Sequence, residues 1–249
     1  MNEFFALFKK ELKTCFLSPV TYIVMFFFWV LTGANFFWLL WQLIGGSPLS
    51  VAMQMMFGGP LLAIALPIVV PLITMRLVAE ERKQGTFEAL LTTPLQVPFL
   101  VLAKYFSALI YYMVLWLPAI AYLLMAGKLP GVPGFPDGGA VLAGIFGVML
   151  VGSLYIAIGL LMSCLSSNQI VAAISSFAVL FGTALTLTLL AYNSQSPSLR
   201  IIGQYYSSYK HMMDFSRGIV DSRMVLMYIC NSAWVLFVAI KVTEAKKGS

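Results

Sequence analysis

Residues Met53–Pro94 read MQMMFGGPLLAIALPIVVPLITM and then RLVAEERKQGTFEALLTTP. The first block, Met53–Met75, holds no charged side chain. A run of that length matches the roughly 20 apolar residues that a helix needs to cross a bilayer core. Pro60, Pro67 and Pro71 predict that this span is kinked or partly unwound, and packed against protein where it is. The second block changes character at once. Arg76 to Gln84 reads as a charged helical extension leaving the membrane. Gly85 can end it, and Thr86 can cap the helix that follows. Glu88 then lies in a first turn, where the helix dipole favours an acid. Phe87, Leu90 and Leu91 form an apolar stripe, and Pro94 stops the helix. A short amphipathic helix on a charged stalk suits docking into a groove on a soluble partner. The plainer alternative is a solvated loop whose leucines rest on the bilayer.

Five further apolar runs surround this one, giving spans at about 20–43, 53–75, 99–125, 141–163, 170–192 and 224–240. Across the 249 residues, 61% are hydrophobic and only 10% charged, with a mean hydropathy of +0.93. A soluble domain carries about a quarter charged residues, so the exterior here must suit lipid. The predicted fold is therefore all-α: a polytopic membrane protein with six transmembrane helices in one domain over residues 1–249. Ahead of the first span, residues 1–18 predict an interfacial amphipathic helix. Phe4, Phe5, Leu7, Phe8, Leu12, Cys15 and Phe16 share one face, and Glu3, Lys9, Lys10 and Lys13 the other. Glu11 is the exception to that division. Pro19 marks the break before the span. The small residues Ala140, Gly144 and Gly152 give the fourth span a face that another helix can approach closely. Residues 193–223, with Tyr205, Tyr206 and Tyr209, read as a pair of short helices at the outer interface or as a solvated loop.

The formal charge of +6 does not mark a nucleic-acid binder, because the bases sit at the edges of apolar runs and act as topology signals. Ten of the fifteen bases fall inside if both termini are cytoplasmic: Lys9, Lys10, Lys13, Arg76, Arg82, Lys83, Lys104, Lys241, Lys246 and Lys247. Cys15, Cys164 and Cys230 are scattered and read as small packing residues. No cleavable signal peptide is expected at the amino terminus, where a charged periodic segment precedes the first run.

Several chemistries are absent. There is no G-x-x-x-x-G-K-[ST] loop to cradle nucleotide phosphates, no H-E-x-x-H and no G-x-S-x-G. The single histidine, His211, reads as an interfacial polar residue. The span interiors are read as free of Asp, Glu, His, Lys and Arg, with Gln42 and Gln54 near outer ends. Ion-coupled carriers generally place an ionisable group at membrane depth, so the energy source is assigned to a partner. Neither catalytic residues nor a metal site are expected.

The segment MRLVAEERKQGTFEALLTTP (Met75–Pro94), followed by VLAKYFSAL (Val101–Leu109), resembles the signature of type-2 ABC exporter permeases. It is most similar to the branch associated with gliding motility and nitrous-oxide-reductase maturation. FALFKKELKTCFLSPVTYIV (Phe5–Val24) and FSRGIVDSRMVLMYICNSAWVLFVAIK (Phe215–Lys241) extend the likeness to both ends. Where that family often has Arg-Asp, this chain has Ser222-Arg223. The resemblance implies a permease subunit of an ATP-driven exporter in the bacterial inner membrane. A separate ABC ATPase, in two copies, would bind the ATP and magnesium, and a second permease chain, identical or different, would complete the pathway. Residues 79–94 would hold the cytoplasmic coupling helix, with Glu80, Glu81, Arg82, Gly85, Thr86, Phe87, Glu88, Leu90 and Leu91 as the ATPase-coupling set. Residues 193–223 would be outer re-entrant helices. The alternative is a membrane scaffold that anchors a cell-envelope complex without transporting.

Overall fold

The computed structural model describes residues 2–47, 49–83, 85, 96–126 and 138–246. The proposed coupling residues Thr86, Phe87, Glu88, Leu90 and Leu91 lie outside the described residues, with the rest of 86–95. Among the described residues the chain is helical, in the order α1 Asn2–Leu17, α2 Pro19–Ile44, α3 Leu49–Gly58, α4 Pro60–Thr74, α5 Ala79–Lys83, α6 Val97–Leu115, α7 Leu117–Ala126, α8 Gly138–Leu165, α9 Gln169–Asn193, α10 Pro197–Tyr206, α11 Ser208–Ser216 and α12 Ser222–Ala245. Six stretches are long and apolar enough to cross a membrane: Pro19–Ile44, Gln54–Lys83, Val97–Ala126, Gly138–Leu165, Gln169–Asn193 and Ser222–Ala245. The predicted all-α, six-span architecture is thus the observed one, with each helix extending a few residues beyond its apolar run.

α8 sits at the centre of the bundle. It packs against α4, α6, α9, α11 and α12, as befits a helix apolar on every side. Glycine lets these neighbours close in: a Cβ at Gly144 would lie 2.6 Å from Phe57 of α3, and one at Gly147 would lie 2.5 Å from Phe215 of α11. Further along, Gly152 faces Tyr112 of α6 and Gly159 faces Thr74 of α4. The small-residue face therefore includes Gly147 and Gly159 as well as Gly144 and Gly152. α2, α9 and α12 instead turn large apolar side chains outward, among them Phe26, Trp38, Trp41, Ile170 and Trp234. Such exposure is costly in water and neutral against lipid tails.

The second span is divided, as its prolines predict. α3 ends at Gly58, Gly59 is extended at φ −66° and ψ 147°, and Pro60 opens α4. Pro60 has no N–H to give the carbonyl four residues back, which leaves acceptors open at membrane depth. Asn35 of α2 supplies the missing donor: its Nδ2 lies 3.0 Å from the Met55 carbonyl and 3.3 Å from that of Met56. Pro67 and Pro71 continue inside α4, and Met75–Val78 form a turn before α5. Replacing Asn35 with leucine is expected to destabilise the chain by about 2 kcal/mol, the cost of unsatisfied buried acceptors. Thermal unfolding in detergent checks this, and a melting temperature equal to wild type would remove Asn35 from that role.

The third run is divided at Trp116, between α6 and α7, where Pro118 lacks the N–H that would bond one turn back. His211, expected at the interface, is instead buried in α11, with Nδ1 2.9 Å from the Tyr228 hydroxyl of α12. Burial pushes its imidazole down to about 4, so it stays neutral at physiological pH.

Candidate functional site

α1 lies along α6. Its seam is aromatic: Phe4 stacks on Phe8 at 6.2 Å and meets Phe99 edge-on at 6.0 Å. Phe16 meets Tyr111 edge-on at 5.6 Å. Leu7, Glu11 and Cys15 follow one another at intervals of one helical turn, so they share the face pressed onto α6. That places a carboxylate on the apolar side of α1, the very residue that broke the amphipathic pattern.

Glu11 is there because Lys104 is. Lys104 lies on the buried face of α6, inside the third span, and its side chain is 1% exposed. The sequence reading that span interiors lack ionisable groups is corrected at this position. The Lys104 ammonium lies 3.0 Å from Glu11 Oε2 and 2.8 Å from Glu81 Oε1. Three elements distant in sequence, α1, α5 and α6, are thereby clasped on one cation. An ammonium stripped of water costs several kcal/mol unless it is paired and hydrogen-bonded, and two carboxylates meet that condition.

A second pair flanks the first. Arg76, in the stretch joining α4 to α5, forks onto Glu80: Nε is 2.7 Å from Oε2 and a terminal nitrogen is 2.8 Å from Oε1. Its other terminal nitrogen reaches the hydroxyl of Ser18, the single residue between α1 and α2. The turn itself is tied to α8. Ser163 Oγ accepts from the backbone N–H groups of Val78 and Ala79, at 3.2 Å and 3.1 Å, and donates to the Met75 carbonyl. α12 closes the same end, where Lys246 Nζ caps the carbonyls of Cys164 and Leu165 at 3.1 Å each.

Of the residues singled out from sequence, Glu80, Glu81 and Arg82 thus fall on α5, with Glu80 and Glu81 engaged by Arg76 and Lys104 of their own chain. Gly85 has φ +71°, a conformation that favours glycine, and its N–H bonds the Arg82 carbonyl at 3.1 Å. The residues not singled out are Glu11, Lys104 and Ser163. For two of them a signal existed: an acid on an apolar helix face, and a lysine within an apolar run.

Among the described residues the thiol that α1 brings to the arrangement, Cys15, is hydrogen-bonded to the Ser107 hydroxyl and not to a base. The arrangement's short ion pairs, buried at Lys104 and Glu11 and partly exposed at Glu81, Arg76 and Glu80, tie the end of the second span to the amino-terminal helix and to the third span. No curated protein matches the chain significantly. The profile of the ABC-2 family transporter protein matches residues 42–240, which include the second and third spans and residues 79–94 between them. By that match over most of its length, the chain belongs to the ABC-2 transporter family, as a multi-pass membrane protein.

Proposed function

We propose that this chain is the permease subunit of an ABC exporter, and that the stalk end of the second span receives force from a separate ATPase. The observation that supports the reading best is the clasp. α5 is a single short helix that would drift as an isolated stalk, yet Lys104 and Arg76 hold it against α1, α6 and the α1–α2 junction. A push delivered just beyond α5 would pass into three spans together rather than being absorbed by a loose loop. Thr86, Phe87, Glu88, Leu90 and Leu91, immediately after Gly85, would present the docking stripe, while Glu80, Glu81 and Arg82 would hold it in place. In this reading both termini are cytoplasmic and the membrane is the bacterial inner membrane. The working unit has two permease chains and two ATPase chains, with ATP and magnesium bound by the latter. The motifs quoted above favour the gliding-motility and nitrous-oxide-reductase-maturation branch.

The test is co-purification with the cognate ATPase. Glu80 and Glu81 already serve internal partners, so the informative variant is Leu90→Arg, which places a charge in the proposed docking stripe. Its expected result is at least a tenfold loss of retained ATPase, since burying one unpaired charge costs well over the roughly 1.4 kcal/mol per decade of affinity. The variant should still melt like wild type. Equal retention and unchanged ATP turnover would sink the coupling assignment. A complex that forms normally, but whose ATP turnover is indifferent to the permease, would favour a scaffold.

A further inference from the structure

Beside the clasp the bundle is hollow. A cavity of about 570 Å³ opens between α1, the start of α2, the end of α4, α5 and α6. That volume is within the roughly 300–1,000 Å³ typical of small-ligand sites. Its lining changes along its depth. Lys10, Glu11 and Arg76 lie on α1 or at the end of the second span, whereas Val24, Leu72 and Ile73 belong to the spans proper. Polar groups where the spans end, with apolar walls leading inward, is the order in which a phospholipid presents its headgroup and its stem.

We propose that this cavity holds a membrane phospholipid with a primary ammonium headgroup, a phosphatidylethanolamine. Two observations choose the headgroup. The first is Glu11, 4% exposed, whose Oε2 takes Lys104 while Oε1 is buried with no hydrogen-bond partner among the described residues. A desolvated carboxylate oxygen calls for a donor. A small turn of the carboxylate toward the cavity it lines lets it accept from a primary ammonium. A quaternary choline has no N–H to give. The second is charge balance. Three bases (Lys10, Arg76 and Lys104) and three acids (Glu11, Glu80 and Glu81) line the cavity. An anionic lipid therefore gains no net attraction, and a zwitterion meets both signs, with the exposed Lys10 available to its phosphate.

The inference is independent of the proposed ATPase, and its test uses the full chain purified in detergent. The midpoint of thermal unfolding is followed while phosphatidylethanolamine, phosphatidylcholine or phosphatidylglycerol with identical acyl chains is added. Phosphatidylethanolamine is expected to reach half-maximal stabilisation at a concentration about tenfold below the other two, the scale of one charge-assisted hydrogen bond. Successive N-methylation of its headgroup should erode that advantage stepwise in the wild-type protein. Glu11→Gln, which retains an oxygen for Lys104, should abolish the advantage. Equal responses to the three lipids would overturn the proposal. So would equal stabilisation by soluble phosphoethanolamine, which would make the ligand a free headgroup rather than a lipid.

Discussion

Lys104→Ala is expected to lower stability by about 3–5 kcal/mol, the usual cost of removing one partner from a buried ion pair. For a chain of this size that is a fall in melting temperature on the order of 10 °C. The substitution leaves the carboxylates of Glu11 and Glu81, which had shared one ammonium at 3.0 Å and 2.8 Å, facing each other without a cation. Two carboxylates left without their shared ammonium repel each other across α1 and α5. Loosening of α1 from α6 is the expected response, and hydrogen exchange along α1 reads it. The combined Lys104→Met, Glu11→Gln, Glu81→Gln variant removes all three charges and should recover more than half of the loss, because neutral groups of similar size escape the desolvation cost. A Lys104→Ala protein that melts like wild type, with α1 equally protected, would show that the clasp contributes nothing to holding the stalk.

The second large effect is expected at Gly152. A Cβ there would lie 2.2 Å from one ring carbon of Tyr112 and 2.4 Å from another. Tyr112 has nowhere to go: it is fully buried, donates to the Val148 carbonyl at 3.1 Å, and meets Trp116 edge-on. Overpacking a closed site costs about 1–3 kcal/mol or more, against a gain of roughly 1 kcal/mol in helix propensity from glycine to alanine. The collision wins, so Gly152→Ala should destabilise by about 2 kcal/mol net, and Tyr112→Leu in the same chain should return part of it. Gly182 is the control, since nothing lies within 4 Å of its Cβ position on the outward face of α9. Gly182→Ala should be neutral or stabilising by up to about 1 kcal/mol. If the two substitutions melt alike, packing against α6 is not what requires glycine at residue 152.

Much of this was legible in the amino acids, and the exceptions follow a physical rule. Hydropathy located the six spans because lipid demands continuous apolar length, and that demand is local in sequence. The break in the second span was visible in Pro60, since a missing N–H is also a local fact. The identity of the residue that repairs it was not, because Asn35 belongs to another span and nothing near it announces a partner. Glu11 and Lys104 failed for the same reason in a sharper form. Each looked like an irregularity when read alone, and each is explained only by the other, 93 positions away. His211 was misplaced because a polar residue among tyrosines reads as interfacial until Tyr228 of α12 is seen to cover it.

That separation of 93 positions also bears on how the chain is made. Synthesis proceeds from the amino terminus, so α1 emerges with Glu11 long before its counter-ion exists. Lys104 in turn leaves the ribosome only after two spans have been handed to the bilayer. Until then α1 has no cation to pair with its carboxylate, and its seat on α6 does not yet exist. The docking of the first helix is therefore a late event in assembly, completed when the third span arrives and draws the two ends of the interval together.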